Sequence, residues 1–200
     1  MLKHNIILLV SIVCLAQAIE KPSYEVVRKI DSSTEIRKYA SSKWASTSVK
    51  DQCMKMSDYS SRMFMNLFNY ISGRNSQNQK IEMTAPVLTS LRNMNTGLID
   101  RSSNCNMTMG FYVPKANQAN TPQPSNSEVF LRDEPELTVA VIQFGWYPDM
   151  NDYMSNRDAL IRKLGSEASS YDTVNMMVAG KFDFSMIRCC FKESKYDLIF

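Results

Sequence analysis

The stretch Lys80–Thr89 reads K-I-E-M-T-A-P-V-L-T and lies near the middle of the 200-residue chain. Its apolar and β-branched residues predict a short strand over Ile81–Thr89, interrupted by Pro86 because proline cannot donate to a strand ladder. The preceding segment predicts a helix over Met54–Ser72, since its apolar residues recur at steps of three and four. Gly73 then supplies the residue type that commonly follows a helix end.

Strands are predicted on both sides of this centre, together with a second helix. The predicted strands are Tyr24–Ile30, Thr34–Tyr39, Trp44–Val49, Asn106–Val113, Val129–Asp133, Leu137–Phe144, Val174–Phe182 and Lys195–Ile199. The second helix is predicted over Asp149–Leu164 and ends at Gly165. Glu134-Pro135 predicts a hairpin turn between its flanking strands, and residues 90–105 and 114–127 predict loops, the latter solvated.

This order is strand, strand, helix, strand, strand, and then the same again. Two helices are too few to cover both faces of a parallel sheet. We therefore expect an α+β fold in which an antiparallel sheet curls into a barrel and the helices pack on it. No linker composition divides residues 19–200, so we expect a single domain there.

Six segments in a fixed order resemble the SOUL heme-binding protein family. They are E-I-R-K-Y (Glu35–Tyr39), K-W-A-S-T-S-V (Lys43–Val49), K-I-E-M-T-A-P-V-L-T (Lys80–Thr89), F-Y-V-P (Phe111–Pro114), V-F-L-R-D (Val129–Asp133) and T-V-A-V-I-Q-F-G (Thr138–Gly145). The resemblance covers most of residues 22–200. It implies a distorted antiparallel β-barrel with two flanking helices. It also implies non-covalent binding of heme or a related tetrapyrrole, for carriage, buffering or scavenging and not for catalysis.

The resemblance also implies where the tetrapyrrole binds. The ring would lie on the exposed side of the first helix, and basic side chains would face its two propionates. Carried over by position, the ring contacts are Met63, Phe64, Leu67 and Phe68, and the cations are Arg62 and Arg188. The segment E-S-K-Y-D-L stands where the family usually ends in N-R-R-N-E-V-W. For both arginines the alternative is a solvated surface charge, and for the methionine-rich first helix it is ordinary core packing.

The first 18 residues predict a secretory signal peptide. Lys3 precedes an apolar run over Ile6–Leu15, and Ala16–Ala18 fits a small-x-small cleavage site. The run is too short to span a bilayer as a helix, and an uncleaved anchor or a buried strand is the alternative. Cleavage would remove His4, the only histidine. The secreted chain would then have no Ser-His-Asp or Cys-His arrangement and no axial histidine for heme iron, so we expect no metal bound directly by the protein.

Four cysteines remain after such a cleavage: Cys53, Cys105, Cys189 and Cys190. An even number in a secreted chain favours disulfides. A bond between the adjacent pair is disfavoured, because neighbouring Cα atoms lie only about 3.8 Å apart. We expect Cys53 or Cys105 to pair with each other or with one of the adjacent two, and four reduced thiols are the alternative. Asn106 begins the sequon N-M-T and is a predicted glycan site.

Two basic residues and the net charge complete the prediction. The formal charge of +3 is too small and dispersed for nucleic-acid binding. No later apolar run is long enough for a transmembrane helix. Lys38 stands where one branch of the family carries a candidate axial histidine; because lysine is protonated near pH 7, we expect a solvated strand residue. Arg157 interrupts the apolar stripe of the second helix. Its side chain either extends to solvent as a snorkelling cation, forms a buried ion pair or contacts a carboxylate of a ligand.

Two other functions stay open. One is an extracellular protein-interaction module that has kept the fold and lost tetrapyrrole binding, which the missing histidine and the altered C-terminal segment favour. The other is a small-molecule hydrolase, as found among related effector-binding folds. No matching constellation of acidic and aromatic residues is visible in the sequence, so we expect a binding protein and not an enzyme.

Overall fold

The computed structural model describes residues 19–93, 103–145, 149–173, 176–180 and 195–199. Nine strands lie within them: β1 (Tyr24–Lys29), β2 (Thr34–Tyr39), β3 (Ser42–Gln52), β4 (Val87–Asn93), β5 (Asn104–Tyr112), β6 (Val129–Glu134), β7 (Leu137–Gly145), β8 (Met176–Gly180) and β9 (Lys195–Ile199). The helices are α1 (Met56–Ile71), α2 (Lys115–Gln118) and α3 (Met150–Leu164). The predicted signal peptide, Arg188, Cys189 and Cys190 lie outside the described residues.

All described strands belong to one nine-stranded sheet in the order β1-β2-β7-β9-β8-β4-β5-β3-β6. Every pairing in it is antiparallel, so the antiparallel α+β prediction is confirmed. The edge strand β1 has no counterpart. When β2, β3, β4 and β5 are exchanged with β6, β7, β8 and β9, respectively, the remaining strand order is the same as the original order read in reverse. The two strand-strand-helix-strand-strand units are thus related by a pseudo-twofold exchange, which makes α1 and α3 equivalent helices.

Two short links force this sheet to curl. Residues 40–41 alone connect β2 to β3, and residues 135–136 alone connect β6 to β7. Each link spans at most about 11 Å at about 3.8 Å per Cα step. The strands that it joins are six steps apart in the sheet, and each step is about 4.8 Å. The two ends of the sheet must therefore approach each other. No described pairing joins β1 to β6, so the closed barrel stays a prediction.

The predicted hairpin around Glu134 and Pro135 is wrong. Strand β6 pairs with β3, and β7 pairs with β2. Both strands thus pair with a strand of the other unit, and β7 pairs in addition with β9 of its own unit. The short link crosses between the two ends of the curled sheet. A two-residue connection usually indicates a hairpin, and nothing in the local sequence distinguishes that from an exchange between units.

Helices α1 and α3 cover the same face of the sheet. Helix α1 packs against β3 and β5, and α3 packs against the equivalent strands β7 and β9. Buried residues of both helices join one hydrophobic core with alternate residues of the strands, such as Ala140 and Ile142 of β7. The intervening Val139 and Val141 point to the opposite face, where they form a smaller cluster with Ala179.

The segment before β4 is not the strand that the sequence predicted. Strand β4 begins only at Val87, and the preceding residues bond to other elements. The backbone N–H of Ile81 donates to the carbonyl of Ile71 at 2.7 Å, and the hydroxyl of Thr84 donates to the carbonyl of Tyr112 at 2.7 Å. The peptide bond between Ala85 and Pro86 is cis.

The predicted loop over residues 114–127 is also more ordered than expected, because Tyr70 and a β-bridge between Asn75 and Pro124 connect it to the end of α1. The buried amide of Asn75 donates to the carbonyls of Tyr70 (3.1 Å) and Gln79 (2.7 Å). Its oxygen accepts from the backbone N–H groups of Gln77 (3.2 Å) and Gln79 (3.1 Å). The hydroxyl of Tyr70 donates to the carbonyl of Pro122 at 2.8 Å. Burial raises the pKa of Tyr70 to about 12.

Candidate functional site

Helix α1 buries three of the residues that the family resemblance assigns to the ligand. Met63 is 1% exposed, Phe64 is 3% exposed and Leu67 is fully buried. The ring of Phe64 packs edge-on against Phe111 of β5, with ring centroids 5.2 Å apart. These three side chains belong to the core between α1 and the sheet. In this conformation a ligand on the outer side of α1 meets other residues first.

The outer face of α1 carries Arg62, Met65 and Phe68, at steps of three residues that make successive side chains neighbours. Met65 is 46% exposed and Phe68 is 36% exposed. The ring of Phe68 lies nearly parallel to that of Phe64, with centroids 6.1 Å apart and an angle of 17°. A core aromatic therefore supports the exposed one. The outer face thus combines a flat aromatic, a flexible thioether and an exposed cation.

The guanidinium of Arg62 packs over the ring of Tyr59. Its guanidinium carbon lies 5.4 Å from the centroid of the Tyr59 ring, within the range of a cation–π contact. The Tyr59 hydroxyl donates a short hydrogen bond to the carboxylate of Asp51 at the end of β3. Asp51 also accepts from the backbone N–H of Gln52 at 2.7 Å and lies 3.4 Å from the ammonium of Lys55. These contacts link the cation on α1 to the sheet.

The other side of the outer face is polar. The amide of Asn66 donates to the carboxylate of Glu128 at 3.0 Å, and Asn126 donates to the oxygen of Asn66 at 3.4 Å. This side presents the carboxylate of Glu128, whereas the other side presents the guanidinium of Arg62. A dianionic ligand is therefore favoured with its carboxylates toward Arg62 and away from Glu128.

The disulfide prediction is confirmed: Cys53 bonds to Cys105 across 52 positions of sequence, with Cα atoms 4.9 Å apart. Cys105 lies directly opposite Asp51 in the β3–β5 ladder, and Cys53 opens the 3-10 turn that leads into α1. The bond fastens the start of α1 to the sheet beside the contacts that hold Arg62.

Lys38 is the charged strand residue that the sequence predicted. Its side chain is 44% exposed, and its ammonium lies 2.8 Å from the carboxylate of Glu136. The hydrogen bond to Glu136 raises the pKa of Lys38. A protonated ammonium has no lone pair to offer, so Lys38 is not suited to ligate iron near neutral pH.

Arg157 binds the protein's own backbone. Only 12% of its side chain is exposed, and it lies 3.2 Å from the carboxylate of Asp158. Its guanidinium donates from two nitrogens to the carbonyl of Thr173, at 3.2 Å and 3.0 Å. These contacts tether the segment that follows α3, which accounts for a cation within the apolar stripe.

Asn106, the predicted glycan site, lies in the inner strand β5 between β3 and β4. It is half-buried, and the following Thr108 is 8% exposed, with its hydroxyl 2.9 Å from that of Ser48. Glycosylation there stays a prediction. Within the described ranges, no group of three or more His, Cys, Asp and Glu side chains is arranged to hold a metal ion.

Sequence reasoning did not assign Met65, Tyr59 or Asp51 to the site. Met65 lies off the apolar stripe that predicted the helix, and an apolar residue off the buried stripe is the signal that would have singled it out. Tyr59 lies on that stripe and looks like core. Asp51 lies close to Tyr59 only in the folded structure.

No helix in the described part of the chain is both long and apolar enough to cross a membrane.

Two solved structures share this fold. The C-terminal domain of EcmrR aligns with a TM-score of 0.55 at 10% identity, covering 88% of this chain and 96% of that chain. A hydrolase from Listeria innocua aligns with a TM-score of 0.51 at 8% identity, covering 83% of this chain and 90% of that chain. At such low identities the likeness concerns the fold alone.

Sequence relatives are more specific. Heme-binding protein 2 of Mus musculus is 37% identical over 134 residues, which are 64% of this chain and 61% of that protein. Heme-binding protein 2 of Homo sapiens is 32% identical over 171 residues, which are 82% of this chain and 79% of that protein. The family model described as SOUL heme-binding protein matches residues 19–187. The chain therefore belongs to the SOUL heme-binding protein family.

Proposed function

We propose that the protein binds heme or a related tetrapyrrole non-covalently, for carriage, buffering or scavenging and without turnover. Its family membership and its relatives named heme-binding protein 2 support a tetrapyrrole ligand. The observation that carries the location is the outer face of α1, where exposed Met65 and Phe68 lie beside Arg62. None of the described α3 side chains is both large and apolar and exposed to that degree.

The outer face of α1 fits the chemistry of a tetrapyrrole. A flat aromatic ring needs an apolar surface, which Phe68 and Met65 provide, and its carboxylates need a cation, which Arg62 provides. Met63, Phe64 and Leu67 shape this surface from within the core, and Phe64 directly supports Phe68. We keep Arg188 as the second proposed cation, although it lies outside the described residues. A bound heme would supply iron-centred chemistry, whereas these residues hold the ring and its carboxylates.

A helix face covers only one side of the ring, which limits the affinity. Removing about 300 Å² of apolar surface from water contributes about 7.5 kcal/mol at about 25 cal/mol per Å², before the cost of association. Micromolar binding requires about 8 kcal/mol. An exposed ring held by α1 and one or two cations is thus expected to bind no more tightly than the micromolar range, without a strong bond to iron.

The test is a titration of the purified secreted protein with hemin and with iron-free protoporphyrin. We expect similar affinities, weakened in parallel by Arg62→Ala or Arg188→Ala and unchanged by Lys38→Ala. Arg162→Ala, on the equivalent helix α3, is the matched control and should also have no effect. A hemin preference above a hundredfold, about 2.7 kcal/mol, would establish a strong axial ligand and contradict this picture. If neither ligand binds, the protein-interaction alternative replaces the proposal.

We also propose that the protein is secreted after cleavage near Ala18. The signal-like segment over residues 1–18 supports it, and so does the Cys53–Cys105 disulfide, because such bonds persist in oxidising compartments. Mass spectrometry of the extracellular protein tests the proposal. A mature N-terminus at or near Ile19 is expected, and an intact Met1 on an intracellular protein would contradict it.

A further inference from the structure

Arg62 is the outermost of three residues that are linked by two contacts, beginning in the sheet. Asp51 lies near the end of β3, and its carboxylate accepts a hydrogen bond from the hydroxyl of Tyr59. Tyr59 stands in the first turn of α1, and its ring lies under the Arg62 guanidinium at 5.4 Å. These contacts connect strand β3 to the Tyr59 ring and the Tyr59 ring to the Arg62 guanidinium, which fixes their relative positions.

The Asp51 carboxylate is held on several sides. Asp51 receives the backbone N–H of Gln52 and lies near the Lys55 ammonium, in addition to the Tyr59 hydroxyl. Its strand position is directly opposite Cys105, two residues before the disulfide-bonded Cys53. The carboxylate is therefore a fixed point to which the first turns of α1 are attached.

Around neutral pH, the Asp51 carboxylate is charged and the Tyr59 phenol is protonated, so the hydrogen bond between them is maintained. The Tyr59 hydrogen bond, followed by that from Gln52, lowers the pKa of Asp51 below its ordinary value of 3.8. The carboxylate of Asp51 raises the pKa of Tyr59 above 10.0, with a smaller opposing effect of Arg62 and a smaller reinforcing effect of Asp58. The acid stays charged above its ordinary pKa and loses the bond only as the pH falls through its lowered value. The phenol stays a donor until the pH rises through its raised pKa.

We propose that Asp51 and Tyr59 are positioning residues that hold Arg62 ready for a carboxylate of a tetrapyrrole seated on Phe68 and Met65. This inference rests on the proposed function. A free arginine side chain loses much rotamer freedom when it binds a carboxylate. A guanidinium already held on the Tyr59 ring loses less, so the same contact yields more affinity. Neither Asp51 nor Tyr59 needs to touch the ligand.

The experiment compares protoporphyrin with its dimethyl ester, in which both carboxylates are blocked. The variants are Tyr59→Phe, which keeps the ring under Arg62 but removes the bond to Asp51, and Asp51→Asn. The wild type should prefer the free acid by at least fivefold. Each variant should weaken binding of the acid three- to fivefold and leave binding of the ester unchanged. A general loss of structure would weaken both ligands, so the acid-to-ester ratio isolates the positioning role.

Two controls complete the design. Tyr153→Phe removes a phenol at the same place in α3, the fourth residue of the helix, and should change neither ligand. In the Arg62→Ala background, Tyr59→Phe should cause no further loss for the acid, because the effect acts through the cation.

The outcomes separate this inference from the proposed function. If the wild type binds neither porphyrin, both are overturned. If Arg62→Ala abolishes the preference for the acid while Tyr59→Phe and Asp51→Asn leave it intact, the proposed function stands and the positioning role is wrong. If Tyr59→Phe still weakens acid binding in the Arg62→Ala background, its effect does not pass through Arg62, and the positioning role is again wrong.

Discussion

Helices α1 and α3 occupy equivalent places in the two units of the sheet and even begin with the same pattern, Met-x-Asp-Tyr. Their tyrosines are used differently. Tyr59 of α1 bonds to Asp51 and supports Arg62, whereas Tyr153 of α3 packs edge-on against Phe144 of β7 at 6.0 Å. Only α1 combines exposed Met65 and Phe68 with a supported cation. Equivalent places in the fold therefore carry different surfaces: the outer face of α1 is partly apolar, whereas the exposed side chains described for α3 are polar.

The two helices are also fastened differently at their N-termini. In α3, Asp149 and Asp152 form a reciprocal capping box, with bonds of 3.0 Å and 2.9 Å. In α1, Lys55 occupies the N-cap position and provides no side-chain cap. The disulfide and Asp51 hold that end instead. The helix with the candidate site is thus anchored by longer-range bonds, which fix its face relative to the sheet.

Loss of the disulfide should have the largest effect. A loop closed across 52 positions stabilises the fold by about 4 kcal/mol in the chain-entropy model. The variant Cys53→Ser/Cys105→Ser should lose about that much in urea unfolding and should lose hydrogen-exchange protection in α1 before α3. A loss below about 1 kcal/mol, or equal deprotection of both helices, would show that the disulfide does not anchor α1 in particular.

Asn75→Ala should come next, because it removes four hydrogen bonds behind the end of α1. Leaving buried backbone groups without partners is expected to cost about 3 kcal/mol of unfolding free energy. Gln77→Ala is the control: its exposed side chain should matter by less than about 0.5 kcal/mol. Equal effects of the two variants in thermal and urea unfolding would contradict the role given to Asn75.

Phe68→Ser addresses the ligand face itself. Removing the exposed ring should weaken protoporphyrin binding about tenfold, or about 1.4 kcal/mol, in a protein that remains folded by circular dichroism. Phe130→Ser is the matched control, since Phe130 is 41% exposed against 36% for Phe68. Phe130 lies on β6, where its neighbours Val129 and Leu131 pack into the core. If both variants lose affinity equally, the outer face of α1 is not the site.

Asp149→Ala should have the smallest of these effects. Removing the capping box of α3 is expected to lower the melting temperature by about 2–4 °C and to leave porphyrin affinity unchanged. Lys55→Ala, at the N-cap position of α1, removes no cap and should cost less. A loss of porphyrin binding in Asp149→Ala would show that α3 contributes to the site and that the two helices are less different than proposed.

Much of the fold follows from the sequence because periodicity is a local property. Helices α1 and α3 are predicted to within two residues, whereas α2 lies in a predicted loop. Gly73 follows the end of α1 as expected, with the N–H of Arg74 bonded to the carbonyl of Asn69 at 3.0 Å. The pairing of β6 with β3 and of β7 with β2 is not local, so a hairpin was predicted instead. The order of residues 114–127 depends on Asn75, which lies in another part of the chain.

The site is less predictable than the fold. The apolar stripe of α1 includes Met63 and Leu67 and is buried against the sheet, whereas the family resemblance assigns both residues to the ligand. Met63, Phe64 and Leu67 have the residue types of a ligand surface, yet they are buried in the core. Phe68 and Arg62 are predicted as contacts and do lie on the outer face. Tyr59 and Asp51 come into contact only when α1 packs beside the end of β3, and their spacing in the sequence does not predict that contact.

The most direct test of the central claim is to map the bound ring by nuclear magnetic resonance. Iron-free protoporphyrin is titrated into isotopically labelled secreted protein, and the shifts of backbone amides are followed, because the ring current of a porphyrin moves the signals of nearby nuclei. Binding on the outer face of α1 should produce the largest shifts at Arg62, Met65 and Phe68 and smaller ones along α3. Largest shifts along α3 or β1, or none in α1 at saturation, would contradict the claim that the outer face of α1 holds the ligand.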